Sequence, residues 1–221
     1  MMWLGYDLTK LICWLFIKLG FGLEVSGQAH VPTRGPFIVA SNHVSFLDPP
    51  LIGVACPRRL RFMARADLYR QPLLAAFLRG VKAISIKRGE ADLMAIRAGL
   101  ARLRAGEAIA IFPEGERQLS GTLGVAKRGV GFLAEAAQVP ILPVFVSGTF
   151  EALPPHATGL SRAKIRVAFG EAIAYTDASV SSTAGPEAGA RGSRARQERL
   201  ADAVTQQWRR LATQRAAQPC P

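Results

Sequence analysis

The sequence is poor in cysteine and in acidic residues. Its three cysteines, Cys13, Cys56 and Cys220, lie far apart and form no C-x-x-C pair, which excludes a disulfide framework and a zinc finger. Only 16 Asp and Glu oppose 28 Lys and Arg, which gives a net charge of +12. This surplus predicts an anionic partner. Because no run interleaves the basic residues with aromatics, we expect a membrane surface or a phosphorylated substrate rather than nucleic acid.

A long uncharged apolar run is also missing. The apolar residues 1–25 are interrupted by Asp7, Lys10 and Lys18, so a simple membrane-spanning helix is not predicted. The segment lacks the basic start and small-residue cleavage site of a secretory signal. On a helical wheel the three charges share one narrow sector. This pattern favours an amphipathic helix lying among lipid headgroups, and an ordinary core-packing helix is the alternative.

The rest of the chain alternates between strand and helix patterns. Helical spacing is clearest in residues 91–104, which end before Gly106, and it alternates with apolar runs rich in Val, Ile and Phe. The predicted strands are residues 36–41, 59–65, 82–86, 108–112, 141–147 and 164–170. We therefore expect an α/β fold with a central, largely parallel or mixed sheet flanked by helices.

Composition divides the 221 residues into four segments. The amphipathic helix occupies residues 1–25 and the α/β domain residues 26–175. Residues 176–196 are mostly Ser, Ala, Gly and Arg without an apolar period, which predicts a flexible linker. Residues 197–221 predict a C-terminal amphipathic helix and tail, and this helix could pack on the domain or contact anionic lipid.

A histidine and an aspartate follow the first predicted strand. A neutral imidazole such as that of His43 can take a proton from a hydroxyl, and a carboxylate such as that of Asp48 can fix its tautomer. Both residues also have structural interpretations, because His43 could be a structural histidine with satisfied hydrogen bonds and Asp48, which precedes Pro49, could cap the next helix. Ser45 could be a turn residue or a hydrolase nucleophile, but the chain has no G-x-S-x-G elbow.

A glycine-rich basic loop follows the strand that ends at Phe112. Gly115 would let the backbone approach a ligand closely, and Arg117 offers a fork that matches phosphate. Glu114 could be an acid, a structural acceptor or a partner of Arg117. The alternative is an ordinary surface loop.

Two further segments are informative only in combination with the others. Lys87 and Arg88 follow a β-branched run and alone indicate the solvated end of a strand. In the segment VPILPV, Pro140 and Pro143 flank two apolar residues, which favours an edge or irregular strand.

These four segments resemble, in order and separation, the motifs of the 1-acylglycerol-3-phosphate acyltransferase family. The resemblance covers residues 35–170. The residues that match the first motif, N-H-x-S-x-x-D, are Asn42, His43, Ser45 and Asp48. Arg88 matches the end of the second motif. The residues that match the third, F-P-E-G-T-R-S, are Phe112, Pro113, Glu114, Gly115 and Arg117. Those that match the fourth, V-P-x-x-P-V, are Val139, Pro140, Pro143 and Val144.

The resemblance implies that residues 26–175 form an acyltransferase domain. The domain would move a fatty acyl group from acyl-CoA or acyl carrier protein to the sn-2 hydroxyl of lysophosphatidic acid, giving phosphatidic acid in phospholipid biosynthesis. His43, oriented by Asp48, would be the general base, without a covalent acyl-enzyme. The implied substrate-binding residues are Asn42, Lys87, Arg88, Glu114, Gly115 and Arg117. The implied acyl channel is lined by Pro140, Ile141, Pro143 and Val144.

The resemblance also implies partners and a location. The partners would be an anionic membrane surface, the lysolipid acceptor and the thioester co-substrate, with no bound cofactor, no metal and no nucleic acid. The protein would sit on the cytoplasmic face of the membrane as a peripheral or monotopic protein.

The sequence departs from the family pattern beside the implied phosphate ligands. Glu116 stands where the family has Thr, Gln118 where it has Ser, and Lys87 where an acidic residue is common. Another lysophospholipid or a lyso-ornithine lipid therefore stays open as the acceptor. Two other function classes stay open as well, a lipid hydrolase that uses Ser45 or Ser41 and a non-catalytic module that binds membrane or nucleic acid.

Overall fold

The computed structural model describes residues 4–86, 91–154, 157, 159–176 and 190–216. The helices are α1 (Leu4–Gly20), α2 (Asp48–Ala55), α3 (Pro72–Gly80), α4 (Ala91–Arg104), α5 (Gly129–Ala137), α6 (Thr149–Ala152) and α7 (Ala190–Ala216). The strands are β1 (Gly22–Ser26), β2 (Ile38–Ser41), β3 (Leu60–Arg65), β4 (Ile84–Ile86), β5 (Ala108–Ile111), β6 (Ile141–Ser147) and β7 (Lys164–Phe169). The six predicted strands are thus present, and β1 is an addition.

The strands form one mixed sheet in the order β1-β7-β6-β2-β5-β3-β4. Every neighbouring pair is parallel except β6 and β7, and this confirms the predicted fold class. In the centre, β2 pairs in parallel with β5, with Ala40 opposite Ile111. Because parallel strands end at the same edge of a sheet, the loops that follow β2 and β5 meet there, where α/β folds usually bind ligands.

Helices cover both faces of the sheet. Successive residues of β2 point to opposite sides, as in any strand. Val39 is buried in the cluster that includes Tyr6 of α1 and Leu51 of α2. Ile38 is buried in the other cluster, with Leu133 of α5 and Trp208 of α7. Each face of β2 is therefore buried, which explains its continuous apolar sequence.

The helix α1 turns polar groups toward the domain and apolar groups outward. The Arg59 guanidinium makes two hydrogen bonds to the Asp7 carboxylate, and Lys10 Nζ donates to the carbonyl of Cys56 at 2.6 Å. Tyr6 and Ile17 are buried. The exposed large apolar residues of α1 are Leu4, Leu8, Leu11, Ile12, Trp14, Leu15, Phe16 and Leu19.

Across the described part of the chain, no helix combines the length and the apolar character needed to cross a bilayer. The end of the predicted N-terminal helix was wrong, because β1 occupies residues 22–26 and pairs in parallel with β7.

The C-terminal helix α7 packs on the domain. Leu200, Val204 and Trp208 are fully buried, and the indole Nε1 of Trp208 donates to the carbonyl of Ala40 at 3.0 Å. The helix begins at Ala190, inside the segment predicted as a linker, so that predicted boundary was wrong. The remaining linker residues 177–189 lie outside the described part of the chain.

The first turns of the C-terminal helix α7 are held by α5. The Glu135 carboxylate accepts hydrogen bonds from three side chains of α7, those of Ser193, Arg196 and Gln197.

The segment around Pro143 was predicted as an edge or an irregular strand, and the edge alternative was wrong because β6 lies between β2 and β7. Val144 pairs with Phe169, whereas Ile141 bridges Ile173, so the β6–β7 register shifts by one residue between them. Pro143 lies at this bulge, where its carbonyl accepts from Gly170 N at 2.8 Å. A bulge tolerates a residue that has no N–H to donate.

Candidate active site

The Asp48 carboxylate organises the loop that follows β2. Its Oδ2 accepts hydrogen bonds from the amides of Val44 and Ser45, both at 2.8 Å, and lies 2.9 Å from Nδ1 of His43. Asp48 is fully buried in the first turn of α2. The start of α2 has no side-chain cap, so the interpretation of Asp48 as a helix cap was wrong, and the structure shows its contact with the imidazole instead.

This contact defines the free nitrogen of His43. A carboxylate oxygen can only accept, so Nδ1 is the donor and Nε2 carries the lone pair. The imidazole stacks on the ring of Phe112, with centroids 4.1 Å apart and an interplanar angle of 24°. Its side chain is 17% exposed. The ring is thus held on one nitrogen and one face and still reaches the surface.

The loop that follows β5 is bonded to the same histidine. The amide of His43 donates to Oε1 of Glu114 at 3.3 Å, and its carbonyl accepts from the amide of Gln118 at 2.8 Å. Burial raises the pKa of Glu114 from 4.5 to about 7, against the opposing effect of the His43 amide. Of the roles left open for Glu114, the structure shows that of a structural acceptor.

Two glycines let neighbouring chain segments approach this loop. Gly115 has a φ of 82°, in the left-handed region that favours glycine. At Gly124 a Cβ would lie 3.1 Å from the carboxyl carbon of Glu114 and 3.1 Å from the side-chain amide of Gln118. The glycine-rich segment therefore packs directly over the second loop.

Arg117 lies on an aromatic ring at the mouth of the site. Its guanidinium carbon is 3.6 Å from the centroid of Phe46, and its Nη1 is buried without a hydrogen-bond partner among the described residues. Burial lowers the pKa of Arg117, and the charge of Asp48 opposes that shift. Phe46 was not predicted as a site residue from the sequence, although its position between His43 and Asp48 could have indicated that it lies at the site.

The predicted substrate ligands Lys87 and Arg88 lie outside the described residues, so their part of the site stays a prediction.

Asn42 does not face the site, which corrects its predicted role as a substrate ligand. It is 2% exposed, and its amide group donates to the carbonyl and accepts from the amide of Val146. These bonds tie the end of β2 to β6. Asn42 thereby holds the loop that carries His43.

The two serines of the first loop also point elsewhere. The buried hydroxyl of Ser45 donates to the carbonyl of Leu153 at 2.8 Å, and that of Ser41 donates to the carbonyl of Asn42 at 3.1 Å. Neither hydroxyl bonds to the imidazole of His43. This arrangement disfavours a serine nucleophile.

The residues predicted to line an acyl channel fill the core instead. Ile141 and Val144 are fully buried, in the clusters on opposite faces of the sheet, and Pro143 is buried between them while Pro140 is half-buried. Strand residues that alternate between two packed layers have no common cavity to line.

An apolar cavity of about 270 Å³ lies under α1. Its walls include Ile12, Phe16, Phe46, Leu51 and Phe77. Phe46 thus contacts Arg117 and also borders this cavity.

The chain belongs to the acyltransferase family. The family model described as Acyltransferase matches residues 22–147, which is more than half of the chain and includes both loops of the site. This confirms the resemblance found in the sequence.

Two of the relatives to which the chain is similar are 1-acyl-sn-glycerol-3-phosphate acyltransferases. The chain is 24% identical over 165 residues to 1-acyl-sn-glycerol-3-phosphate acyltransferase of Bacillus subtilis, covering 74% of this chain and 79% of that protein. It is 37% identical over 140 residues to 1-acyl-sn-glycerol-3-phosphate acyltransferase alpha of Homo sapiens, covering 60% of this chain. The match spans about half, 49%, of the human protein.

A third relative has a different name. The chain is 32% identical over 141 residues to the lyso-ornithine lipid O-acyltransferase of Pseudomonas aeruginosa, covering 63% of this chain and 53% of that protein.

The fold is shared with a solved structure, the 1-acyl-sn-glycerophosphate acyltransferase PlsC of Thermotoga maritima. The TM-score is 0.79 at 21% sequence identity, and the match covers 98% of this chain and 81% of that one.

Proposed function

We propose that the protein transfers a fatty acyl group from a thioester, acyl-CoA or acyl carrier protein, to the sn-2 hydroxyl of lysophosphatidic acid. The observation that carries this proposal is the 2.9 Å contact between His43 Nδ1 and Asp48 Oδ2, which leaves Nε2 as a base at a partly exposed position. The family and the named relatives supply the reaction type.

The mechanism needs one proton acceptor and good positioning. Nε2 of His43 takes the proton of the acceptor hydroxyl, and the oxygen attacks the thioester carbonyl carbon. The C–O bond forms, the C–S bond breaks, and the imidazolium returns its proton to the leaving thiolate. Asp48 stabilises the imidazolium through Nδ1 and is itself held by the amides of Val44 and Ser45.

Arg117 is the acceptor's phosphate ligand in this proposal. Its guanidinium rests on the Phe46 ring, and its Nη1 is buried with no partner among the residues that the structure describes, so a donor is already desolvated at the mouth of the site. Lys87 and Arg88 are proposed, from the resemblance, to add further positive charge on the phosphate.

The apolar cavity under α1 is the proposed site of the donor's acyl chain. Phe46 borders it and also carries Arg117, so the cavity opens next to the headgroup ligand. Its walls are almost entirely apolar side chains, as an acyl chain requires.

The outer face of α1 is the proposed contact with the membrane. Eight large apolar side chains of α1 are exposed, six of them outside the walls of the cavity, and Lys18 Nζ lies 4.6 Å from the centroid of the Trp14 ring. Apolar residues beside Trp and Lys suit the headgroup boundary, and the net charge of +12 favours anionic lipid.

A lyso-ornithine lipid is the second candidate acceptor. It is favoured by the Pseudomonas aeruginosa relative at 32% identity and by the unusual Glu116, which would repel a phosphate.

The decisive experiment is an acceptor panel. Purified protein is incubated with palmitoyl-CoA or palmitoyl acyl carrier protein and, in turn, with lysophosphatidic acid, lysophosphatidylcholine, lyso-ornithine lipid or no acceptor. We expect diacylated product from lysophosphatidic acid at the highest kcat/KM. A preference for lyso-ornithine lipid would make that lipid the acceptor in place of lysophosphatidic acid. Release of free fatty acid in the absence of an acceptor would indicate a hydrolase.

A further inference from the structure

The side chain of Lys127 lies along the backbone of Gly115. A Cβ built on Gly115 would be 2.7 Å from Nζ of Lys127, 3.5 Å from Cε and 3.6 Å from Cδ. The amide of Lys127 donates to the carbonyl of Pro113 at 2.8 Å, which anchors the base of this side chain to the same loop. The ammonium is thus placed over the segment between Glu114 and Arg117.

Within the described part of the chain, the ammonium of Lys127 has no partner. Its ammonium makes no hydrogen bond or ion pair with any residue in the described ranges, and the residue is exposed. The neighbouring Arg128 differs, because its Nη1 donates to Oε1 of Gln197 on α7 at 3.2 Å. Two adjacent cations therefore have different surroundings, one over the site and one bound to the C-terminal helix.

The net charge of residues 114–117 indicates that a second cation is needed to bind a phosphate. Glu114 and Glu116 lie on either side of Gly115, so Arg117 alone gives this loop no positive surplus. A phosphate monoester carries up to two negative charges, and an ammonium on a flexible stem is an effective point-charge ligand for it.

We propose that Lys127 is a specificity-determining residue of the acceptor site, whose ammonium binds the phosphate of the lysolipid together with Arg117. This inference rests on the proposed function and adds a residue from the segment after the second loop. A ligand of this kind acts on acceptor binding, not on proton transfer from the hydroxyl.

The test compares Lys127→Ala with Arg128→Ala, which removes the same charge one residue away. Kinetics are measured in mixed micelles of uncharged detergent, with lysophosphatidic acid varied at saturating acyl-CoA. Uncharged detergent keeps the general attraction to an anionic surface small at a low mole fraction of lysolipid, and Arg128→Ala accounts for the part that the lysolipid itself causes. Inorganic phosphate is added as a competitor in a second series.

For Lys127→Ala we expect a KM for lysophosphatidic acid raised about tenfold or more with kcat nearly unchanged, since one charge-assisted contact is worth about tenfold in affinity. Inhibition by inorganic phosphate should weaken in parallel. Lys127→Arg should restore most of the wild-type KM, and Arg128→Ala should keep it.

Equal KM values for Lys127→Ala and Arg128→Ala would overturn the inference and leave the proposed function intact. A loss confined to kcat would overturn it as well. If Lys127→Ala does not fold, Lys127→Gln, which keeps most of the stem, decides on the same criteria. Failure of the wild-type protein to acylate any lysolipid would contradict the proposed function instead.

Discussion

The backbone amide of His43 donates a hydrogen bond to the carboxylate of Glu114 at 3.3 Å. This bond joins the loops that follow β2 and β5, and the bond from Gln118 N to the His43 carbonyl at 2.8 Å repeats the connection. The position of the imidazole therefore depends on the second loop. The Glu114 carboxylate was predicted from the sequence to bind substrate, but in the structure it supports the loop that carries His43.

Glu114→Gln should change how stability depends on pH. In the folded protein burial raises the pKa of Glu114 from 4.5 to about 7, so the native state binds this proton more tightly than the unfolded state. The resulting stability is fully present below pH 4.5 and is lost as pH rises through about 7. The amide of glutamine does not titrate, and its oxygen can still accept from His43.

The measurement is the free energy of unfolding by urea across this pH range. As the pH rises from below 4.5 to above about 7, the free energy of unfolding of the variant should rise on the order of 3 kcal/mol relative to that of wild type, at about 1.4 kcal/mol per pKa unit. A difference between variant and wild type that stays constant with pH would contradict the raised pKa.

Ser45→Ala should lower stability and spare catalysis. The buried hydroxyl donates to the Leu153 carbonyl, and loss of a buried partner costs about 1–3 kcal/mol. Thermal unfolding should show this loss, while acyl transfer per folded molecule stays near the wild-type rate. An inactive but folded variant would favour the serine hydrolase that the histidine and aspartate alone leave open.

Replacing Leu8, Leu15 and Leu19 by serine should weaken binding to anionic vesicles. These side chains are 55%, 44% and 84% exposed, so the fold does not depend on them. Burying one leucine contributes about 1.5–3 kcal/mol, and we expect partitioning to fall by at least about tenfold.

The matched control is Met94→Ser, an apolar residue that is 48% exposed on α4, which packs on the opposite face of the sheet. Vesicle sedimentation that is equal for the triple variant and the control would show that α1 is not the membrane contact.

Trp208→Ala should destabilise the whole domain. Trp208 is fully buried and its indole bonds to Ala40 at the end of β2, and removal of such a side chain costs about 3–5 kcal/mol. Trp14→Ala, on the exposed side of α1, is the control for stability. If the two variants unfold at the same temperature, α7 does not pack as described.

Periodicity was enough to predict β2, β3, β5, β6 and β7, because each of them buries at least one face, and it also predicted the short strand β4. It missed β1, whose residues alternate between exposed and half-buried inside a longer apolar segment. The start of α7 was unpredictable for another reason. Residues 190–196 have no apolar period, and the contacts that hold them come from Glu135 on a different helix.

The site was predictable where one motif contains both partners, as for His43 and Asp48. It was not predictable where a role depends on a distant backbone group. Asn42 bonds to Val146, and this contact exists only because β2 and β6 are neighbours. Pro143 and Val144 have the sequence of an apolar strand whether they lie in the core or line a channel, and only the strand order shows that they lie in the core.

The most direct test of the account compares His43→Ala with His30→Ala in acyl transfer from palmitoyl-CoA to lysophosphatidic acid. Removing the base should lower kcat on the order of 10² to 10⁴, with the KM for both substrates nearly unchanged. His30, whose Nδ1 lies 2.9 Å from the Phe169 carbonyl, should be replaceable at full activity. Equal activity of the two folded variants would contradict the assignment of His43 as the general base.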